Sequence, residues 1–176
     1  MNSSALLAKA AVVGLSLSAL LAPAASGAER STHPLAFQGA GVGVCDRGTY
    51  CIYESKNYNE EGPGAPPLMQ VWQHDGAWKD FRKHPVTGQP FVPDATNRVR
   101  SVSNDLDRTI YFMEWEWGDP GSGVTECIAI PPHSAVRDVL AQGSDGGYGS
   151  VSLDPDLARQ YGCRELTPDS TITSGQ

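Results

Sequence analysis

The stretch "VCDRGTYCIYESKNYNEEG", residues 44–62, decides how this chain is read. Cys45 and Cys51 stand close together, and a short aromatic and β-branched run follows directly. A zinc knuckle wants about two to four residues between its cysteines and a second ligand pair at similar spacing. The chain has neither, and it has no Cys-x-x-Cys redox pair. What remains is a disulfide staple at the edge of a small β-domain.

That reading needs an oxidising compartment, and the first residues supply one. "MNSSALLAKAAVVGLSLSALLAPAASGAER" carries one positive charge, Lys9, then an apolar run, then the small residues Ser26, Gly27 and Ala28. Basic start, short apolar centre and small-residue exit describe a secretory signal peptide. Residues 1–28 are therefore expected to be removed, leaving a secreted, extracellular protein with no membrane attachment. Exported thiols oxidise, and an even count reads as disulfides. Four cysteines allow three pairings. The local one, Cys45–Cys51 with Cys127–Cys163, is favoured because the intervening "DRGTY" can make a turn. In the loop-entropy picture the short link contributes about 2 kcal/mol and the long one nearly 4 kcal/mol, to order of magnitude.

The 176-residue chain has 13 basic and 20 acidic residues, a net charge of −7. Losing Lys9 with the leader leaves 12 basic residues and a net charge of −8 over 148 residues. Such a balance argues against a nucleic-acid partner. The length suits one domain with a sizeable core. Residues 29–43, "ERSTHPLAFQGAGVG", read as a flexible lead-in, 44–165 as a single Greek-key β-domain, and 166–176 as a flexible tail.

Strand composition recurs in "CIYES", "LMQVWQ", "RVRSVSN", "RTIYFMEWEW" and "ECIAI", with Gly and Pro clusters between nearly all of the runs. Only "DPDLARQYG" reads as a helix: Asp154 can cap it, Pro155 suits its first turn and Gly162 its exit. Short strands at this spacing predict an all-β, disulfide-stapled antiparallel sandwich with one short C-terminal helix.

Two segments carry a resemblance. "GTYCIYESKNYNEEG" is similar to the pattern that opens a βγ-crystallin Greek key: Cys, apolar, Tyr, Glu, three residues, an aromatic and then Gly. "TNRVRSVSNDLDRTIYFMEWEW", residues 96–117, resembles the second part of that module. With the leading cysteine pair, the combination resembles peptidase inhibitor family thirty-six, the family of the Streptomyces metalloproteinase inhibitor. The resemblance implies a βγ-crystallin-like Greek-key sandwich and inhibition of a secreted protease, a zinc metalloendopeptidase above all.

The chain also departs from the pattern. Glu60 stands where the first key usually has glycine, which implies a lengthened or bulged turn. The family's calcium slot reads Thr96, Asn97, Arg98, Val99, Arg100, Ser101 here. Calcium wants several hard oxygens, and Arg100 puts a cation where a hydroxyl belongs. Asn97 and Ser101 are the degenerate remains of that slot. They are expected to hold a loop rather than an ion, and the second half of the chain shows no clean copy. No cofactor is expected.

Other candidates are weaker. His33, His74, His84 and His133 lack metal-ligand spacing and read as lead-in, surface or turn residues. "GSDGGYGS" lacks the lysine of a phosphate loop and reads as a turn. Neither a G-x-S-x-G elbow nor a spare thiol offers a nucleophile, so an enzyme is not expected. Glu114 and Glu116 alternate with Tyr111, Met113, Trp115 and Trp117 along one strand. The carboxylates are expected to face solvent and the aromatic side to form a core ridge. The competing functional reading makes that ridge a stacking face in an extracellular module for glycan or cell wall. For inhibition, the Pro- and Gly-rich loops at 62–67, 118–123 and 131–134 are the exposed candidates.

Overall fold

The structure is a computed structural model that describes residues 34–60, 69–84, 87–91, 93–114 and 126–173. Its strands are β1 Leu35–Gln38, β2 Tyr50–Tyr53, β3 Gln70–His74, β4 Ser101–Asn104, β5 Ile110–Met113, β6 Cys127–Ile130, β7 Ser134–Val136, β8 Ser150–Ser152, β9 Arg164–Glu165 and β10 Ser170–Thr171. Among the described residues one α-helix, α1 Pro155–Tyr161, lies between β8 and β9.

The strands form two sheets, in the orders β1-β3-β2-β4-β7-β10 and β8-β5-β6-β9. All pairings are antiparallel except β6 with β9. The second sheet gains one more segment, from the first key: Trp78 exchanges both backbone hydrogen bonds with Val151, at 2.9 and 2.7 Å, and so extends that sheet beyond β8. The connectivity is that of two Greek keys. The first is β2, β3, the Trp78 segment and β4; the second is β5, β6, β7 and β8. Each key lends its third strand to the other sheet, since β7 pairs with β4 and Trp78 with β8. This is the all-β Greek-key sandwich with one short helix that the sequence predicts.

Period-two alternation sorts the side chains. Tyr50 and Ile52 of β2, Trp72 of β3, Val102 of β4 and Val136 of β7 point inward. They meet Ile110 and Phe112 of β5, Ile128 and Ile130 of β6, and Val151 of β8. Phe112 is the hub: its ring lies 6.4 Å from Tyr50, 6.2 Å from Phe81 and 5.7 Å from Tyr148. Full burial of side chains this size contributes about 1.5–3 kcal/mol each.

The parity of β5 differs from the expectation. Ile110 and Phe112 face the core, whereas Tyr111 and Met113 lie on the opposite face, Tyr111 half-buried and Met113 fully buried. Glu114 therefore shares the core-facing parity and sits just past the strand end. The run "IYFM" is apolar on both faces, so its alternation carries no parity signal. Trp115, Glu116 and Trp117 lie outside the described residues.

Residues 34–43 of the lead-in and 166–173 of the tail are also built into the fold. β1 pairs along β3, β10 pairs with β7, and Leu166 is buried. The outer face of the first sheet is apolar: Cys51, Tyr53, Val71 and Ala135 cluster there, and Phe37, Val44 and Ile172 pack against them. That second apolar face has to be covered, and residues read as flexible from their polar neighbours cover it.

Both disulfides of the expected pairing are present, Cys45–Cys51 and Cys127–Cys163. The second ties β6 to the end of α1. The helix is capped as read: Asp154 accepts from the Asp156 amide at 2.8 Å, and Gly162 closes it with φ 65°. Glu60 adopts φ −85°, a conformation that needs no glycine. The left-handed backbone falls instead on Asn57, Tyr58 and Asn59, at φ 52°, 56° and 63°. The Asn59 side chain holds this turn, accepting from the Ser55 amide and donating to the carbonyls of Gly39 and Gln70.

Candidate functional site: a pinned turn beside the short staple

Of the three candidate loops, 62–67 and 118–123 lie outside the described residues. Residues 131–134 are described, and they make the tight connection between β6 and β7. Pro132 is exposed and Ser134 is buried at the turn's foot. The turn is held from several sides. The Asn104 side chain donates to the carbonyls of Arg108, Ile130 and Pro131 at 3.0, 3.1 and 2.8 Å. The Ser134 hydroxyl donates back to the Pro131 carbonyl at 2.7 Å. The Ile172 amide donates to the His133 carbonyl, also at 2.7 Å. His133 itself sits at φ 48°, a conformation that costs a non-glycine residue energy and needs such support.

The imidazole of His133 lies between two carboxylates. Nδ1 is 3.2 Å from Asp105 Oδ1 and Nε2 is 2.8 Å from Asp107 Oδ1. Hydrogen bonds to Asp105 and then Asp107 push its pKa above the ordinary value. Asp105 also accepts from the Gly48 amide at 3.1 Å, inside the Cys45–Cys51 loop. Three loops therefore converge: the short staple, the turn after β4, and residues 131–134. The ring lies between the two carboxylates instead of converging with them on one point, and among the described residues no trio of His, Cys, Asp or Glu is placed to hold a metal ion.

The other described histidines differ from each other. His74 is buried in β3 at 5% exposure, against the rings of Tyr50 and Trp78. This corrects the expectation of a surface residue: the aromatic layer takes the imidazole as one more ring. His84 is half-buried beside Phe91, and its Nδ1 accepts from the Thr87 amide. His33 lies outside the described residues.

The degenerate calcium slot is filled by the protein's own contacts. The Ser101 hydroxyl is fully buried; it donates to the Ser55 carbonyl at 2.6 Å and accepts from the Tyr58 amide at 3.0 Å. Arg98 is ion-paired with Glu54. Arg100 makes a two-pronged contact with Asp138 at 2.9 and 3.1 Å. With its hydroxyl committed and two guanidiniums in place, the slot does not fit a calcium ion. Asn97, at φ 58°, serves as a turn residue.

The second key does contain a structural counterpart of this slot, which the sequence reading missed. Ser150 opens β8 as Ser101 opens β4, and both are fully buried. Counting back, Asn97 matches Gly146, each with positive φ, and buried Val99 matches buried Tyr148. The glycines that made "GSDGGYGS" look like a plain turn hid the copy. Here the acids are less compensated. Desolvation, then the charges of Asp145 and Glu126, push the Glu114 pKa up. Glu126 takes hydrogen bonds from the Asp145 amide and the Ser144 hydroxyl.

A surface cleft of about 730 Å³ lies between the left-handed turn and the segment after β7, lined by Lys56, Glu60, Arg137 and Asp169 among others. Arg137 and Asp169 face each other across it, and Asp138 is spent on Arg100. Among the described residues no helix is long and apolar enough to cross a membrane.

No model of a known protein family matches the chain, and no curated protein matches it. A solved structure described as "Evolution of the eye lens beta-gamma-crystallin domain fold" aligns with 68% of this chain and 94% of that chain, at 16% identity and a TM-score of 0.44. A likeness of that size carries no argument by itself; the double Greek key rests on the strand pairing, and on that pairing the chain is an all-β protein built from two interlocked keys.

Proposed function

We propose that the mature chain is a secreted proteinase inhibitor that occludes the active-site cleft of a zinc metalloendopeptidase reversibly. The observation that carries this reading is the turn at 131–134. It is exposed at Pro132, yet hydrogen bonds hold the carbonyls of Pro131 and His133, and Asp105 links it to the Cys45–Cys51 loop. A preformed loop loses little ordering entropy on binding. It also resists cleavage, because proteolysis needs a locally opened segment. The metalloproteinase target comes from the family resemblance of segments 44–62 and 96–117, and export from the leader at 1–28.

The test is purified mature protein, from about Glu29, against a panel of metallo- and serine proteases at micromolar concentration. Inhibition of a thermolysin-like enzyme, weakened by opening the staples, supports the reading. Silence across the panel overturns it. If the protein is then retained on insoluble glycan, and Trp115→Ala with Trp117→Ala abolishes retention, the chain is a binding module instead. Trp72 and Trp78 are fully buried and could not serve such a face.

A further inference from the structure

His133 faces an acceptor on each side of its ring. Asp105 lies at Nδ1 and Asp107 at Nε2. An ionised carboxylate only accepts, so each contact needs an N–H on the ring. A neutral imidazole has one N–H and can satisfy one side only; the imidazolium satisfies both. We propose that His133 is a proton-operated clamp: protonated, it joins residues 131–134 to the turn after β4 and through Asp105 to the disulfide loop, and on losing its proton it releases one carboxylate and loosens the turn.

Among the described residues, the charged groups around the ring come from three sides. From the turn after β4 the facing charges are Asp105 and Asp107. From the staple loop Arg47 lines, with Asp105, a small cleft of about 220 Å³. From the C-terminal side that cleft is lined by Ser170, Thr171, Ile172 and Thr173, which carry no charge. Asp169 is occupied by Arg137. The strained φ of His133 adds a second lever, because the conformation persists only while the contacts around it persist.

The sign follows from linkage. A histidine whose folded pKa is raised contributes stability that is fully present below the unfolded value, about 6.5. That contribution is lost as pH rises through the folded value. The clamp is therefore closed in mildly acidic medium and open in alkaline medium. Asp107 is 99% exposed and the ring itself is partly exposed, so the effect is discounted for solvent screening.

The clamp stands independently of what the turn binds. Its consequence for inhibition, tighter binding on the acid side, rests on the function proposed above. Two readouts on the mature protein keep them apart. The first is the His133 titration by NMR together with amide exchange across residues 131–134 between pH 5 and 9, corrected for intrinsic rates. The expected result is a midpoint above the ordinary histidine value and about a two- to fivefold rise in turn opening as pH passes it, the scale of exposed ion pairs. His133→Gln should abolish the step. Asp107→Asn, a change on a fully solvated side chain that leaves folding intact, should lower the midpoint.

A midpoint at or below the ordinary value, or turn opening equal on both sides of it, overturns the clamp whatever the protease assay shows. The second readout is inhibition across the same pH range. A clamp confirmed by exchange with no inhibition at any pH leaves the clamp standing and removes the proposed function.

Discussion

The two Greek keys share a plan and differ in how they balance charge. In both, a glutamate follows the first strand: Glu54 after β2 and Glu114 after β5. In both, its amide donates to a carbonyl at the start of the partner strand, Glu54 to Gln70, the first residue of β3, at 3.2 Å and Glu114 to Glu126, just before β6, at 3.0 Å. In the first key, Arg98 neutralises Glu54. Three places before the second key's serine, where Arg98 would stand, the chain has Gly147. Glu114 is left facing Glu126 and Asp145, and Arg164 reaches Glu126 only at 3.7 Å. Strand pairing thus tolerates very different electrostatics at one position, because hydrophobic burial and the backbone ladder hold the keys while the rim charges adjust.

The comparison can be broken hardest where the keys share material. Phe112 touches rings from both, so Phe112→Ala should cost about 3–5 kcal/mol, read from urea unfolding. A loss under about 1 kcal/mol would mean that the keys do not share one core. The staples come next. Removing Cys127 and Cys163 together should cost about 4 kcal/mol and removing Cys45 and Cys51 together about 2 kcal/mol, on loop-length grounds. Equal costs would show that local strain or residual structure outweighs loop entropy.

A third test addresses the first key alone. Ser101→Ala leaves the Ser55 carbonyl and the Tyr58 amide without their partner, at a cost of about 1–3 kcal/mol. The left-handed turn at Asn57–Asn59 should then show faster amide exchange than any strand. The smallest effect sharpens the contrast. Glu114 is harder to ionise in the folded protein, so its charge destabilises as pH rises through its raised pKa. Glu114→Gln should be neutral near pH 3 and stabilising by a few tenths of a kcal/mol at pH 7, after screening. Destabilisation at pH 7 would mean that the carboxylate has a favourable partner.

How much of this was legible in the residues varies along the chain. β2, β3, β5 and β6 could be read from aromatic and β-branched runs with Gly and Pro clusters beside them, and β4 from the β-branched and polar alternation of "RVRSVSN". α1 could be read because its cap and stop residues are local signals. β7 to β10 could not, since "SAV", "SVS", "RE" and "ST" are too short and polar to stand out. They are strands only because longer neighbours offer a ladder to join. The ordering of β1 and β10 was hidden for a related reason: it depends on Tyr53 and Val71 presenting a second apolar face, a property of the assembled sheet. Within the candidate site, Pro131 and Pro132 marked the turn. The approach of His133 to Asp105 and Asp107 crosses 28 and 26 residues and has no local signature.

The proposed docking of a preformed loop into a metalloendopeptidase cleft is open to direct test by active-site titration. Thermolysin-like enzyme at fixed concentration is titrated with the mature chain while residual activity is followed, and the chain is then recovered and its mass measured. The expected result is a fall in activity to a one-to-one end point, recovery of activity on dilution, and an intact chain. Unchanged activity at a large excess of the chain, or a chain consumed as ordinary substrate, would contradict it.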